Sequence, residues 1–488
     1  MSEIYPSFDY EPVTPGLRDE GGEDGRARGG GPRAAGEAGG VPSPAAPGPS
    51  ATTRAGQRRG LALRRGHAVS YAGLLAFTAV LLFRPYELIP ALGGLSTMAY
   101  WLAFPTLLVF FPFQLALEGN LTARIREVRL VLLLCLAALL SVAFANDPAR
   151  AWETFNDTFF KAVLIFVVIV NVVRTQRRLV LLIYLSLAVT LLLGAGALYD
   201  YSIGRVPVEG YRIKGWIGGM FGNPNDLALH LVTMTPLCVA LMLRSRGLVG
   251  RAAFGALAVL AVAANVVTFS RGGFLGLVGA TLVLLWKLGR DRRFVVTAVG
   301  GVLLALFLAL APGEYGVRIL SIFVPGLDPV GSSSHRQSIL GRSVMVSLRH
   351  PLFGIGMGNF NAVSFGETVS HNAYTQVSAE VGLPALALYL LFIVFPLRKL
   401  KGIEEETAAR RREGFYHLSV GLQASLVGYM ISSFFASVAY QWYIYYLVGY
   451  AVCLRRIYEA RPEAETGEPA GSVKPAGIVG ARRAGGEV

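Results

Sequence analysis

Long apolar runs succeed one another between residues 68 and 454, and they restrict the possible folds more than any other feature. Inside a bilayer no water can satisfy an unpaired peptide group, so each run is predicted to form a helix. With their flanking residues, the runs approach the roughly 20 residues that a helix needs to span a bilayer. The sequence therefore predicts an all-α integral membrane protein with about twelve transmembrane helices, at 68–83, 91–116, 128–145, 158–173, 179–199, 227–243, 251–269, 273–288, 294–311, 384–397, 415–435 and 438–454.

The distribution of charge favours the same class of protein. Only 16% of the 488 residues are charged and 53% are hydrophobic, whereas a soluble globular chain carries about 25% charged residues. Of the 31 acidic residues, eighteen lie in the long stretch 68–458. An ordinary soluble enzyme is therefore excluded. The three cysteines lie far apart in apolar runs, which also excludes a disulfide scaffold.

The two ends of the chain have a different composition from the middle. Residues 1–66 are rich in Gly, Pro, Ala and Arg, and residues 459–488 are similar. Such segments bury too little apolar surface to become ordered. No apolar stretch follows the first charges, so the beginning does not resemble a signal peptide. We predict two disordered tails around a membrane domain at 67–458.

Basic residues predict the orientation of this domain. The net charge of +14 comes largely from Arg and Lys in short loops that alternate with sparsely charged ones. Basic loops tend to stay in the cytoplasm, so the charge indicates topology rather than binding of nucleic acid. With an even number of spans, both termini are predicted to be cytoplasmic. The one large loop, 312–383, is predicted to lie on the opposite, outer side and to contain short helices.

Some basic residues fall on the predicted outer side, against this bias. Arg212 and Lys214 precede the motif 222–226, GNPND, whose Asn and Pro predict a capped helix start. Exposed peptide N–H groups at a helix start suit a phosphate group. The alternative is a plain capped loop. Arg271 lies at the outer edge of two spans, where it could face either a ligand or lipid headgroups.

The large loop holds the remaining candidates. Ser332 to Ser334 can cap a helix from about Arg336 to Arg349, and Pro351 would end it. Arg342 and Arg349 are seven residues apart and share a face of that helix. His371, followed by Asn372, begins a second helix; it titrates near neutral pH, although a lone histidine is more often structural. His335 and His350 compete with it. The glycines at 354, 356 and 358 predict a tight turn at the membrane surface.

Several motifs of other chemistries are missing. The sequence contains no HExxH, no paired cysteines with zinc spacing, no Walker loop and no Asp-x-Asp cluster. We therefore predict neither a metal site nor a cofactor. If a diphosphate binds, Arg and Lys must neutralise it. No carboxylate lies deep in an apolar run, as a proton-coupled transporter usually requires.

Four motifs occur in the order GMFGNPNDLALHL, SRGGFLGL, HRQSILGRSVMVSLRHPLFGIGMGNF and SHNAYTQVSAEVGLPALALY. Together with the large outer loop before the last spans, they resemble the O-antigen ligase and polymerase superfamily of bacterial membrane glycosyltransferases. The resemblance covers approximately residues 200–397. It implies transfer of a glycan from undecaprenyl diphosphate to an acceptor hydroxyl, without metal, at the periplasmic face of a bacterial inner membrane, with loop 312–383 on the periplasmic side. Direct displacement of the diphosphate would invert the anomeric centre.

The resemblance also implies roles for individual residues. His371 would be the general base, and Arg271 and Arg336 would act beside it. Arg212, Arg271 and Arg336 correspond to the family's diphosphate-binding arginines, and Lys214 and Arg342 are further candidates for the same contact. The family often has Trp four residues after the loop arginine, where this chain has Leu340. Arg342 therefore remains an alternative to Arg336.

The acceptor is left open by these motifs. A ligase would use lipid A–core, a polymerase would use a growing glycan, and a protein O-oligosaccharyltransferase would use a protein hydroxyl. The non-enzymatic alternative is a transporter of lipid-linked glycans. A transporter would be expected to place charges within its spans and often has repeated halves. Neither feature is evident in the sequence.

Overall fold

The computed structural model describes residues 66–289, 294, 332–364, 368–410 and 414–461. Apart from one isolated β-bridge between Val208 and Arg212, these residues form helices and their connections. The longer helices are α1 Ala68–Phe83, α2 Met98–Glu118, α3 Arg126–Ala143, α4 Pro148–Val172, α5 Gln176–Ser202, α6 Pro224–Arg244, α7 Leu248–Val267, α8 Arg271–Leu288, α9 Ser332–Arg349, α10 Ala373–Glu380, α11 Leu383–Thr407, α12 Gly414–Ser432 and α13 Trp442–Glu459.

Nine helices within the described ranges are long and apolar enough to cross a membrane, so the chain is a multi-pass membrane protein. This number is smaller than the twelve predicted from the sequence. Helices α3 and α13 coincide with two further predicted segments, but Arg and Glu residues near their ends make them more polar. The predicted span 294–311 lies outside the described residues apart from its first position. The tails 1–60 and 465–488 lie outside them as well.

Some predicted boundaries are wrong. Residues 91–95 belong to a short 3-10 turn, Pro90–Leu95, and α2 begins only at Met98. The last helix begins at Trp442, because the backbone before it turns and the peptide N–H of Ala439 donates to the Gln376 side chain, 3.4 Å away. Conversely, α11 extends ten residues past its predicted end, to Thr407. An apolar run predicts only the part of a helix that can cross lipid. It does not reveal that the helix continues into a charged segment.

Because successive long helices run up and down, their connections fall at two ends of the bundle. At one end, ion pairs join Arg174 to Glu118, Lys287 to Glu404 and Arg455 to Glu127, and we call this the ion-pair end. The loops predicted to be cytoplasmic lie there. The other end holds Arg212, Arg271, Arg336 and His371, and we call it the arginine end.

The centre of the bundle is formed by α6, which packs against α7, α8 and α12. Small residues allow this close approach. A side chain at Gly276 would collide with the backbone of α12, where the Ser432 hydroxyl donates to the Gly272 carbonyl oxygen over 3.0 Å. Helix α2 instead lies at the periphery and exposes Trp101 and Phe104. Exposed apolar side chains on a spanning helix face lipid tails, so the outer surface of the bundle fits a bilayer.

Candidate functional site

Arg212 lies in the loop between α5 and α6, and its side chain is buried. Its Nε donates to the carbonyl oxygen of Thr268 at 3.1 Å, and its Nη2 donates to Asn225 Oδ1 at 2.9 Å. Its Nη1 lies 3.3 Å from Glu209 Oε1. Most of these partners are uncharged oxygens. They fix the orientation of the guanidinium while cancelling little of its positive charge.

The starts of two helices hold Arg271 close to Arg212. Asn223 caps α6, and its Oδ1 accepts from the peptide N–H groups of Asn225 and Asp226. The Ser270 hydroxyl donates to Asn225 Oδ1 at 2.9 Å and accepts from the N–H of the third residue of α8. Arg271 is the first residue of α8 and is buried.

Electrostatics indicate the same proximity. Burial lowers the pKa of Arg212, the Glu209 carboxylate opposes this, and the positive charge of Arg271 lowers it further. A guanidinium stays protonated in proteins even so. Two guanidinium groups, with the Glu209 carboxylate beside Arg212, therefore lie near the start of α6.

Arg336 lies on the inward face of α9. That face also carries the buried residues Ile339, Ser343 and Ser347, and it packs against α10. The hydroxyls of Ser347 and Ser378 are 2.8 Å apart and join the two helices. Arg342 lies on another side of α9, exposed, with its Nε donating to the Val363 carbonyl oxygen at 3.0 Å. Of the two loop arginines, Arg336 is thus the one that faces the interior.

His371 precedes α10 and faces Arg336. Its backbone has a φ of 51°, and the next residue, Asn372, caps α10 by accepting from the N–H groups of Tyr374 and Thr375. Burial lowers the pKa of His371 to about 4, with smaller contributions from the charges of Arg336 and then His335. The imidazole is therefore neutral at physiological pH, the form in which it can accept a proton.

Polar contacts at the C-terminal end of α12 connect the Arg212–Arg271 pair with the Arg336–His371 pair. The Ser432 hydroxyl binds the Gly272 carbonyl, next to Arg271. The hydroxyl of Tyr374, three residues after His371, donates to the Met430 carbonyl oxygen at 2.7 Å. The segments that carry Arg271 and His371 are therefore attached to the same helix end.

A glycine turn between α9 and α10 fixes their relative position. Gly354, Gly356 and Gly358 all have positive φ, and a side chain at Gly354 would strike the backbone of Glu380. The Ile355 N–H donates to the Ala379 carbonyl at 3.0 Å. The tight turn predicted from the three glycines is confirmed, and it ties the helix of Arg336 to the helix that follows His371.

Sequence reasoning missed several residues that build the site. Lys214, which was predicted to bind the diphosphate, is exposed. Asn225 and Glu209 contact the Arg212 side chain instead. Ser270, at the start of α8, also binds Asn225. Asn225 belongs to the capping motif, which was a usable signal. The contacts of Arg212 with Thr268 and of Ser270 with Asn225 join distant parts of the sequence, and no local pattern predicts them.

The loop 215–222 is also held from a distance. The Glu87 carboxylate accepts from the Gly218 N–H at 2.6 Å, and Arg84, paired with Glu87, lies against Gly219. The Tyr443 hydroxyl donates to the Met220 carbonyl oxygen. These contacts fix the glycine-rich segment next to Arg212.

A family model described as O-antigen ligase matches residues 256–390. This stretch covers just over a quarter of the chain and includes Arg271, Arg336 and His371, while Arg212 precedes it. The resemblance inferred from the sequence motifs is thus confirmed over these residues. The match supports a membrane glycosyltransferase of the O-antigen ligase and polymerase kind. No curated protein matches the chain.

Proposed function

We propose that this protein transfers a glycan from undecaprenyl diphosphate to an acceptor hydroxyl at the periplasmic face of a bacterial inner membrane, as an O-antigen ligase does. The observation that carries the proposal is that two pairs, Arg212 with Arg271 and Arg336 with His371, lie at the arginine end on segments attached to the same end of α12. Three of the four residues fall within the matched stretch 256–390.

The arginines would bind the diphosphate of the donor. As the bond from the anomeric carbon to phosphate breaks, negative charge grows on the leaving oxygen. Guanidinium groups already held in place stabilise that charge without having to reorganise. Arg212 is held by Thr268 and Asn225, so its orientation is set before the donor arrives. Arg271 lies beside it, and Arg336, on α9 beside His371, would complete the set when the donor binds. Lys214 and Arg342 are exposed and fit a weaker role at the rim.

His371 would act as the general base. The acceptor oxygen forms a bond to the anomeric carbon, and the hydroxyl proton passes to a neutral nitrogen of the imidazole. The electron pair of the broken carbon–oxygen bond leaves with undecaprenyl diphosphate. Attack opposite the leaving group inverts the anomeric centre. The low pKa of His371 favours the neutral form that this step requires.

The orientation of the protein follows from the basic loops. We propose that the ion-pair end and both tails are cytoplasmic and that the arginine end is periplasmic, where lipid-linked glycan and acceptor would meet. A cysteine introduced at Ser334 should react with a membrane-impermeant reagent in intact spheroplasts. Labelling only after lysis would contradict the topology and the location of the site together.

The proposed acceptor is lipid A–core, with a growing glycan or a protein hydroxyl as the alternatives within the same superfamily. Mass spectrometry of surface glycans from a deletion strain separates them. Loss of all polymer from the core indicates a ligase, and single repeat units left on the core indicate a polymerase. Unchanged surface glycan together with a glycosylation defect of proteins indicates a protein glycosyltransferase.

Purified protein tests the chemical activity itself. Reconstituted with lipid-linked donor and acceptor in vesicles, it should produce the glycosylated acceptor and free undecaprenyl diphosphate. Movement of the donor between leaflets without any product would instead indicate a transporter and contradict the proposal.

A further inference from the structure

The exposed side of α9 changes character along its length. In the N-terminal half it presents Ser334, Gln337 and Ser338. In the C-terminal half it presents Val344, Met345 and Leu348, and Leu352 follows in the turn. Leu348 and Leu352 are 66% and 64% exposed, although polar side chains are the usual choice for a helix facing water. The opposite face of the same half, with Val346 and Ser347, is packed against α10.

The apolar half of α9 is attached to two helices at the points where they leave the apolar bundle. The Leu383 N–H, at the start of spanning helix α11, donates to the Pro351 carbonyl oxygen at 2.7 Å. The Asn146 N–H, just past the end of α3, donates to the Ile355 carbonyl oxygen at 3.0 Å. Phe144 also stacks on Phe353, with ring centroids 4.4 Å apart. The turn after α9 therefore lies at the boundary of the spanning region.

This geometry makes the exposed patch continuous with the lipid-facing surface. Phe144 and Leu383, which border the turn, are themselves exposed, and Leu139, Leu140 and Leu391 continue the exposed apolar surface along α3 and α11. Leu348 lies in the last turn of α9, and Leu352 follows in the turn that contacts α3 and α11. Lipid that covers the exposed faces of α3 and α11 would thus also reach the end of α9.

The charges around the patch fit a phospholipid surface. Arg342, Arg349 and His350 are exposed beside it. No Asp or Glu occurs between residues 332 and 364. A helix with apolar residues on one face and cations at its border is typical of a segment that lies in the headgroup region of a membrane.

We propose that the C-terminal half of α9, from Val344 to Leu352, inserts its exposed apolar side chains into the outer surface of the bilayer. Arg342 and Arg349 then meet lipid phosphates. The same helix carries Arg336 two turns earlier on its inward face, so the membrane contact sets the height of Arg336 above the bilayer. A diphosphate attached to a membrane lipid stays near the bilayer surface, so it would lie at the same height as Arg336.

Fluorescence quenching in vesicles tests the location directly. The probe is an environment-sensitive dye on cysteine at Met345 or Leu348, in the full chain reconstituted in phosphatidylethanolamine and phosphatidylglycerol. Ser338, exposed on the polar half of the same helix, provides the matched control position. The unsubstituted protein, with its buried or half-buried Cys135, Cys238 and Cys453, controls for background labelling.

Dyes at positions 345 and 348 should be quenched about twofold more strongly than the dye at 338 by a nitroxide in the upper acyl chain, as expected for a face buried roughly 5–10 Å. A water-soluble quencher should show the reverse order. Equal quenching of all three dyes by the aqueous reagent would overturn the proposal. So would protection of 345 and 348 from both quenchers, which would mean that protein covers the patch.

This readout does not depend on transfer activity, so it distinguishes failure of the membrane contact from failure of the proposed function. A second variant, Leu348→Glu, should shift the emission of the dye at 345 to longer wavelength, because a carboxylate resists entry into the acyl region. An emission maximum unchanged by Leu348→Glu would also contradict the proposal.

Discussion

The buried cations at the two ends of the bundle have different kinds of hydrogen-bond partners. At the ion-pair end, Arg455 binds the buried Glu127 through two nitrogens, Arg174 lies 2.8 Å from Glu118, and Lys287 is paired with Glu404. At the arginine end, two of the three hydrogen bonds of Arg212 go to a carbonyl and an amide oxygen. Its carboxylate partner, Glu209, is about one-third exposed.

The cations of the ion-pair end are neutralised by carboxylates and hold helices together, whereas Arg212 is oriented mainly by uncharged oxygens. A carboxylate neutralises its partner, and removing it leaves an uncompensated buried charge. An amide or carbonyl oxygen orients a guanidinium and leaves its net charge in place. The type of partner therefore favours the surroundings of Arg212 for the anion-binding role proposed above.

One histidine at each end of the bundle allows a second comparison. His67, at the ion-pair end, has its Nε2 3.0 Å from Gln114 Oε1, and Gln114 in turn contacts Glu118 and Arg174. His371 lies near Arg336 and His335, and the charges of Arg174 and Arg178 act on His67 in the same direction. Burial lowers the pKa of both histidines to about 4. A low pKa thus does not by itself identify a base; of the two histidines, it is His371 that lies beside Arg336 at the arginine end.

The largest effect is expected at His371. His371→Ala should lower the rate of transfer about 10²–10⁴-fold, the usual share of a positioned acid–base group. Donor binding should persist, because the proposed diphosphate contacts belong to the arginines. Turnover with purified donor and acceptor at pH 7 measures the rate, and a donor-binding assay measures the second quantity. His350→Ala, at an exposed position, is the matched control. If only the control were inactive, the base would lie at the end of α9.

The ion-pair end should respond in stability rather than in turnover. Glu127→Ala removes the buried partner of Arg455 and leaves it with the exposed Glu459, 3.6 Å away, so it should cost about 3 kcal/mol in the free energy of unfolding. Turnover per folded molecule should be unchanged. Thermal unfolding in detergent reports the first quantity. The double variant Glu127→Leu/Arg455→Met should recover most of the loss, because an apolar pair needs no neutralisation. A loss of turnover in correctly folded Glu127→Ala would contradict a purely structural role for the ion-pair end.

Much of the fold could be predicted from the apolar runs, since lipid forces such segments to be helical. The ends of helices were less predictable. Thr407 ends α11 well past the apolar run, because Glu404 has a partner in Lys287 on another helix. Tyr440 lies in an apolar segment, yet it falls before α13 begins. Such ends depend on contacts with distant residues.

The candidate site was predictable as a set of residue types, but its geometry was not. Asn223 could be identified as a cap because the Asn-Pro pattern is local. That Arg336 faces inward while Arg342 faces outward depends on which side of α9 packs against α10. Residues 332–349 include six serines, three arginines and a glutamine, spread around most of the helix, so their pattern defines no single buried face.

Replacing arginine by lysine should sharpen the comparison of the two ends further. Lysine keeps the charge but loses the planar fork that can bind two phosphate oxygens. Arg271→Lys and Arg336→Lys should each lower turnover about ten- to hundredfold, the equivalent of one charge-assisted hydrogen bond. Arg174→Lys, at the ion-pair end, should retain turnover near that of the parent. Full activity of both site variants would mean that these arginines contribute only to topology.

The smallest effect concerns the pH dependence of turnover. A general base works only when neutral, and His371 is neutral above its pKa, which is lowered from 6.5 to about 4. Turnover of the parent should therefore hold as the pH falls from 7 to 5 and decline only as the pH passes through about 4. The acidic limb of the pH profile is the fall in turnover at low pH. An acidic limb with its midpoint near pH 6.5 in the parent would mean that the titrating base is not a buried histidine beside Arg336.

The neighbour His335 offers a way to move this limb without touching the base. Once protonated, His335 lowers the pKa of His371. His335→Gln removes that charge, so the pKa of His371 should rise and the acidic limb should move to higher pH by a fraction of a unit. The rate at pH 7 should stay near that of the parent, since His371 is already neutral there. His67→Gln, at the ion-pair end, should leave the limb where it is. A limb that moves with His67→Gln but not with His335→Gln would remove the electrostatic argument for His371 as the base.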